Sequence, residues 1–166
     1  MKKLFILVSL LALVASAALA QEKTYDVPGV FSFQYPDGWN KGSRKGGAPG
    51  ELDWLVSTAN PSASFHAVVG HADFSYDDWL KRTMKQATPE RVLASKADFV
   101  TSSGLKGTKL VWNIKAPDGK QLTSYNYLFS GKGNSQLQLN AMVDAADTSK
   151  FEPQFDSLAK SLVIPK

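Results

Sequence analysis

Apolar and polar residues alternate with a period of two over most of this chain and switch to a helical period twice. Phe31, Phe33 and Tyr35 alternate with Ser32 and Gln34, which predicts a half-buried strand, and Pro36-Asp37-Gly38 ends it in a turn. Four glycines and a proline between Asn40 and Gly50 predict a mobile loop. Leu52, Trp54 and Val56 alternate next, Asn60-Pro61-Ser62 turns the chain, and Phe65, Ala67 and Val69 alternate as far as about His71. These two runs predict a hairpin. At Ser75 the period changes. Ser75-Tyr76-Asp77-Asp78 has the capping-box form, a hydroxyl with an acid three residues on. Tyr76, Trp79, Leu80, Met84 and Ala87 then share one side against Lys81, Arg82 and Lys85, so an amphipathic helix runs to the stop at Thr88-Pro89.

Strand periodicity resumes from Glu90 to about Ser102 and again through Leu110, Trp112 and Ile114. Pro117-Asp118-Gly119-Lys120 is a hairpin turn. The return strand sets Thr123, Tyr125, Tyr127 and Phe129 on one face and Leu122, Ser124, Asn126 and Leu128 on the other. Apolar weight on both faces predicts a central strand covered on both sides. After Gly131-Lys132-Gly133, Leu137, Leu139, Ala141 and Val143 alternate with Gln136, Gln138 and Asn140. A last helix carries Phe151, Phe155, Leu158, Ala159 and Leu162 on one stripe, with Pro153 tolerated near its first turn. The order of elements predicts an α+β fold: a mainly antiparallel sheet flanked by helices in an α/β/α sandwich.

The first 20 residues follow a different rule. Lys2 and Lys3 precede an apolar run from Leu4 to Leu19, broken only by Ser9 and Ser16, and Ala18-Leu19-Ala20 supplies the small residues a signal peptidase accepts. The expectation is a cleavable secretory signal over 1–20, cut between Ala20 and Gln21, and a single domain over 21–166. The run is short of the roughly 20 residues that span a bilayer and has no stop-transfer charges, so no membrane anchor is expected after processing. The chain contains no cysteine, which excludes lipoprotein attachment and disulfides. A soluble periplasmic or secreted product follows. Its net charge is +2 rather than the +4 of the full chain, because Lys2 and Lys3 leave with the signal. No basic run longer than Lys81-Arg82 remains, so nucleic acid is not an expected partner.

With the elements in place, Phe31-Ser32-Phe33-Gln34-Tyr35-Pro36-Asp37-Gly38-Trp39 resembles the opening strand and Tyr-Pro-x-Gly-Trp turn of the PsbP/Mog-type fold family, whose exported bacterial members include PsbP-like and DcrB-like proteins of unknown function. The mid-chain helix, the Pro117–Lys120 hairpin and the closing helix through Lys160-Ser161-Leu162 extend the resemblance over most of 21–166. The resemblance implies a sheet between helices and an accessory or binding role. In that family plant members support the oxygen-evolving centre of photosystem II and the yeast member binds a Ran GTPase, a nuclear partner that an exported chain would not meet.

Candidate chemistry is sparse. Tyr35 and Trp39 beside Pro36 are candidate ligand-gripping aromatics, although a structural role explains them better: proline fixes the turn, Gly38 permits positive φ and Trp39 plugs the sheet's end. The loop Lys41 to Gly47 has glycines and cations but lacks the Gly-Lys-Ser/Thr and following helix of a phosphate cradle. Arg44 and Lys45 there would attract an acidic patch or lipid headgroups. His66 and His71, five apart, fall on opposite faces of a continuous strand. His71 and Asp73 share parity and are candidate binding residues, yet too few ligands accompany them for zinc. Asp77-Asp78 lacks the spaced oxygens of a calcium loop. Ser157 to Lys160 fits Ser-x-x-Lys without its companion motifs, and no Gly-x-Ser-x-Gly occurs. The resulting expectation is a non-enzymatic exported accessory protein, without cofactor, that binds a protein partner or small ligand in the cell envelope. A small-ligand or metal-ion carrier, or a small periplasmic hydrolase, is the competing reading, and the oligomeric state is left open.

Overall fold

A computed structural model describes residues 22–42, 51–71, 73–131 and 135–165, within which nine strands and two α-helices are found. Seven strands form one antiparallel sheet in the order β3-β4-β5-β9-β8-β7-β6. They are β3 (Trp39–Gly42), β4 (Glu51–Ser57), β5 (Ser64–His71), β6 (Arg91–Val100), β7 (Lys106–Lys115), β8 (Gln121–Ser130) and β9 (Ser135–Asp144). The remaining two, β1 (Lys23–Val27) and β2 (Phe31–Tyr35), pair only with each other within the sheets. The α+β sandwich is as the periodicities predict. β8 lies between β9 and β7, and seven consecutive residues from Thr123 to Phe129 are buried, so both of its faces are indeed covered.

The helices take opposite faces. α2 (Thr148–Lys160) and the β1–β2 hairpin cover one, where Phe151, Phe155, Leu158 and Ala159 meet Phe65, Tyr125, Leu139 and Val143 in the larger core. α1 (Tyr76–Met84) covers part of the other through Leu80, which packs with Leu110, Trp112 and Leu128 in a separate small core. Ser75 caps α1 by accepting from the Asp78 N–H at 3.1 Å while its hydroxyl donates to Asp78 Oδ2 at 2.9 Å.

The hairpin is held by the C-terminus. Ser32 and Val163 exchange backbone hydrogen bonds of 2.9 and 2.8 Å, and the Gln34 N–H donates to Ser161 Oγ at 2.8 Å. The chain then crosses to the large sheet through Tyr35-Pro36-Asp37-Gly38-Trp39. Gly38 has a φ of +90°, and its carbonyl accepts from the Thr58 N–H at 2.7 Å, which ties the turn to the end of β4.

Several expectations need correction. β1 forms over a segment assigned no element above, although Tyr25 and Val27 alternate there with Thr24 and Asp26, and β2 belongs to the small hairpin rather than to the main sheet. β3 occupies Trp39–Gly42, inside the span expected to be loop; residues 43–50 lie outside the described residues. In β4 Leu55 is fully buried and Val56 half-buried, while the side chains of Leu52 and Trp54 lie outside the described residues. α1 ends at Met84, short of Thr88-Pro89. Pro153 sits in the second turn of α2, not the first. It is tolerated there because the carbonyl it leaves without an intrahelical donor belongs to solvent-exposed Ser149.

Candidate functional site

The described residues among those singled out from the sequence do not converge. Trp39, 2 % exposed, meets Phe151 and Phe155 edge-on at 6.3 and 5.9 Å, and Tyr35 is buried as well. Both therefore belong to the core and are not free to grip a ligand. β5 pairs with β9 without a register shift, so positions 66 and 71, five apart, have opposite parity along the strand. β5 ends at His71, and Asp73 lies beyond it in an exposed bend before α1, so the shared strand parity of His71 and Asp73 does not hold. The His71 side chain, Arg44, Lys45, Ala20 and Gln21 lie outside the described residues.

Two clusters of polar side chains were not read from the sequence. The first ties α2 to the sheet. Lys109 Nζ lies 2.7 Å from both Glu152 Oε1 and Asp156 Oδ1, Tyr127 Oη donates to Asp156 Oδ1 at 2.7 Å, and Tyr125 Oη donates to Glu152 Oε2 at 3.4 Å. Burial, reinforced by these carboxylates, pushes both phenols above the ordinary tyrosine value, so they remain donors. Glu152 and Asp156 also line a groove of about 710 Å³ with Ser102, Ser149 and Lys160. Lys109 pairs with both of these carboxylates from beneath, and Lys160 also lines the groove.

The second cluster occupies the sheet face that α1 leaves open. Backbone register aligns Asn126 of β8 with Asn140 of β9, and Asn140 with His66 of β5. A polar row thus crosses three strands on one face. Asn126 Nδ2 donates to Asn140 Oδ1 at 2.6 Å, Gln138 Nε2 donates to the same oxygen, and Asn140 Nδ2 lies 3.2 Å from His66 Nε2. Arg91, the first residue of edge strand β6, reaches over the row. Its guanidinium carbon sits 4.5 Å from the centroid of the buried Trp112 ring, and Nη2 donates to Asn126 Oδ1 at 3.4 Å.

Arg91 is the unbalanced member. Its Nε is buried without an acceptor, as is Trp112 Nε1 beneath it, and no carboxylate among the described residues pairs with it. Burial alone pulls the guanidinium below its ordinary value, with no neighbouring anion to restore it. With Ser64, Gln86 and Met142 these groups line a basin of about 230 Å³. A planar guanidinium edge can give two parallel hydrogen bonds to a carboxylate or phosphate. The sequence carried a faint signal of the basin: Asn126 interrupts an apolar strand face, and Gln136, Gln138 and Asn140 line one side of β9. Nothing in the spacing linked them to Arg91, which arrives from the sheet's edge.

An antiparallel sheet sandwiched between a mid-chain helix and a terminal helix, with an N-terminal aromatic hairpin, is the PsbP/Mog-type fold, and the chain adopts it. Cyanobacterial PsbP (CyanoP) from Synechocystis sp. PCC 6803 superposes with a TM-score of 0.65 at 16% identity, over 93% of this chain and 99% of that one. LpqN of Mycobacterium tuberculosis, involved in cell envelope biogenesis, gives 0.64 at 19% identity over 89% and 92% of the two chains. The Ran-binding protein Mog1p of Saccharomyces cerevisiae gives 0.60 at 10% identity over 87% and 96%. No protein-family model and no curated protein sequence matches the chain.

Proposed function

We propose that this chain is an exported, non-catalytic accessory protein of the cell envelope, and that its basin at Arg91 captures a small ligand bearing a carboxylate or phosphate. The single observation that carries this reading is the half-buried Arg91 guanidinium, stacked on Trp112 with its Nε unpartnered and no carboxylate among the described residues paired with it. A volume of about 230 Å³ is below the few hundred Å³ of drug-sized pockets, which favours a ligand of few heavy atoms. The amides around it are mutually hydrogen-bonded and offer donors rather than a nucleophile with its base, which favours binding over catalysis. An envelope role accords with the leader-like N-terminus and with a fold neighbour described as involved in cell envelope biogenesis.

The test is titration of the purified protein with acetate, malonate, citrate and inorganic phosphate, followed by calorimetry and thermal shift, for the wild type and Arg91→Gln. One of these anions is expected to bind at millimolar concentration or tighter and to weaken as salt rises. Arg91→Gln is expected to bind it about 10- to 100-fold more weakly, the loss of one or two charge-assisted hydrogen bonds. Silence across the panel, or equal binding by Arg91→Gln, refutes the basin as the site. Binding only of an acidic protein terminus would move the ligand from a small molecule to a partner chain.

A further inference from the structure

β6 is a ten-residue strand at the edge of the seven-stranded sheet, and from Ala94 to Asp98 its side chains are exposed on both faces. Val92 and Val100 on the same strand are about half exposed. Such an edge presents unpaired main-chain donors and acceptors, and proteins ordinarily interrupt it with charge or a bulge. Here a bulge between Leu93 and Ser95 breaks the N-terminal part, leaving the straight run from Ser95 to Val100 open.

The geometry of that run is specific. The Thr101 N–H donates to Leu105 O at 3.0 Å, so by alternation Phe99 and Ala97 turn their main-chain groups toward β7, while Lys96, Asp98 and Val100 turn theirs outward. We infer that β6 is an interface between two copies of this chain, pairing antiparallel with itself about Ala97. Registers related by a two-fold axis must be centred on a residue. Centring on Lys96 sets lysine against lysine, and centring on Asp98 sets aspartate against aspartate. Centring on Ala97 sets Lys96 of each copy opposite Asp98 of the other, on the same face and in hydrogen-bonding positions, twice per dimer. The patch is then self-complementary, as a two-fold interface requires.

The absence of cysteine makes the register directly testable. Ala97→Cys places two thiols across a non-hydrogen-bonded pair, whose spacing of about 4.5 Å between Cα atoms accepts a disulfide. Ser95→Cys places them four residues of strand apart, roughly 13 Å, beyond bonding reach. Mild oxidation should crosslink Ala97→Cys into dimers and leave Ser95→Cys monomeric. Sedimentation of the untagged chain should show concentration-dependent dimerisation, weakened about tenfold by Lys96→Asp and restored by the exchanged pair Lys96→Asp with Asp98→Lys. Circular dichroism checks that each variant is folded; all four positions are exposed or edge sites. A chain that stays monomeric at the highest soluble concentration, or equal crosslinking of both cysteine variants, overturns the inference. So does a strand edge that is covered only by another protein. Arg91→Gln should leave dimerisation unchanged, which separates this interface from the anion basin.

Discussion

Removal of the Lys109 ammonium is the sharpest test of how α2 is held to the sheet. Its side chain is 11% exposed and sits 2.7 Å from a carboxylate on either side, Glu152 at 39% and Asp156 at 30% exposure. Lys109→Met keeps the aliphatic stem but leaves two partly buried carboxylates facing each other without a cation. Breaking one side of a buried pair costs about 3–5 kcal/mol, and exposed pairs are worth about 0–1. These carboxylates lie between the limits, so a loss of about 2–3 kcal/mol is expected, or roughly 5–10 °C in Tm for a domain of this size. Urea unfolding followed by tryptophan fluorescence and far-ultraviolet dichroism measures it. The companion variant Lys109→Met, Glu152→Gln, Asp156→Asn removes the orphaned charges while keeping acceptors for Tyr125 and Tyr127, and should recover most of the loss. A single-variant loss under about 0.5 kcal/mol, the level of an ordinary surface change, would refute the argument. So would a triple variant no more stable than the single one.

Gly107→Ala should be the more damaging change per atom added: a Cβ there meets Leu128 O and two carbons of the Phe129 ring at 2.5 and 2.7 Å, and a loss of about 1–3 kcal/mol is expected in the same urea assay. Ser75→Ala removes the α1 cap and should cost about 1 kcal/mol, read as a lower urea midpoint with an unchanged slope. Burial raises the Tyr76, Tyr125 and Tyr127 phenols above their ordinary value near 10, so their contribution to stability is complete below that pH and is lost as pH climbs above it toward the folded values. The tyrosinate absorbance of these three residues, isolated by comparison with their Phe variants, should accordingly rise in step with unfolding rather than before it. If the proposed export holds, fractionation should recover the chain outside the cytoplasm with an intact mass that begins at Gln21; a chain confined to the cytoplasm would refute export, and retention of residues 1–20 would refute the cleavage site.

The elements legible in the sequence were those whose own periodicity decides their state. The alternation through β7, the Pro117–Lys120 turn and β8 specified the central hairpin, and the Phe151-Phe155-Leu158 stripe specified α2. β1 was passed over although Tyr25 and Val27 alternate with Thr24 and Asp26, because five residues are too few to decide alone, and β3 is a strand through its hydrogen bonding to β4 at the start of a glycine-rich stretch. The basin was illegible for a related reason. Asn126, Asn140 and His66 are brought into one row only by the registers of β8, β9 and β5, and Arg91 joins them across two further strands. Trp39 shows the converse: the turn motif around it reads as a plug for the sheet's end, and its side chain is buried against Phe151 and Phe155.

The exchange of hydrogen bonds between Ser32 and Val163 joins the second strand of the chain to the residues just after the last helix. A chain that emerges from its N-terminus, whether from a ribosome or a translocation pore, delivers the β1–β2 hairpin first and the residues that clamp it last. An isolated two-stranded hairpin is at best marginally stable in water, and beyond the edge-on contact of Phe33 with Phe65 its aromatic face is closed only when α2 and its tail arrive. Completion of this fold is thus a late, all-at-once event, and truncation just after Lys160 should release the opposite end of the chain.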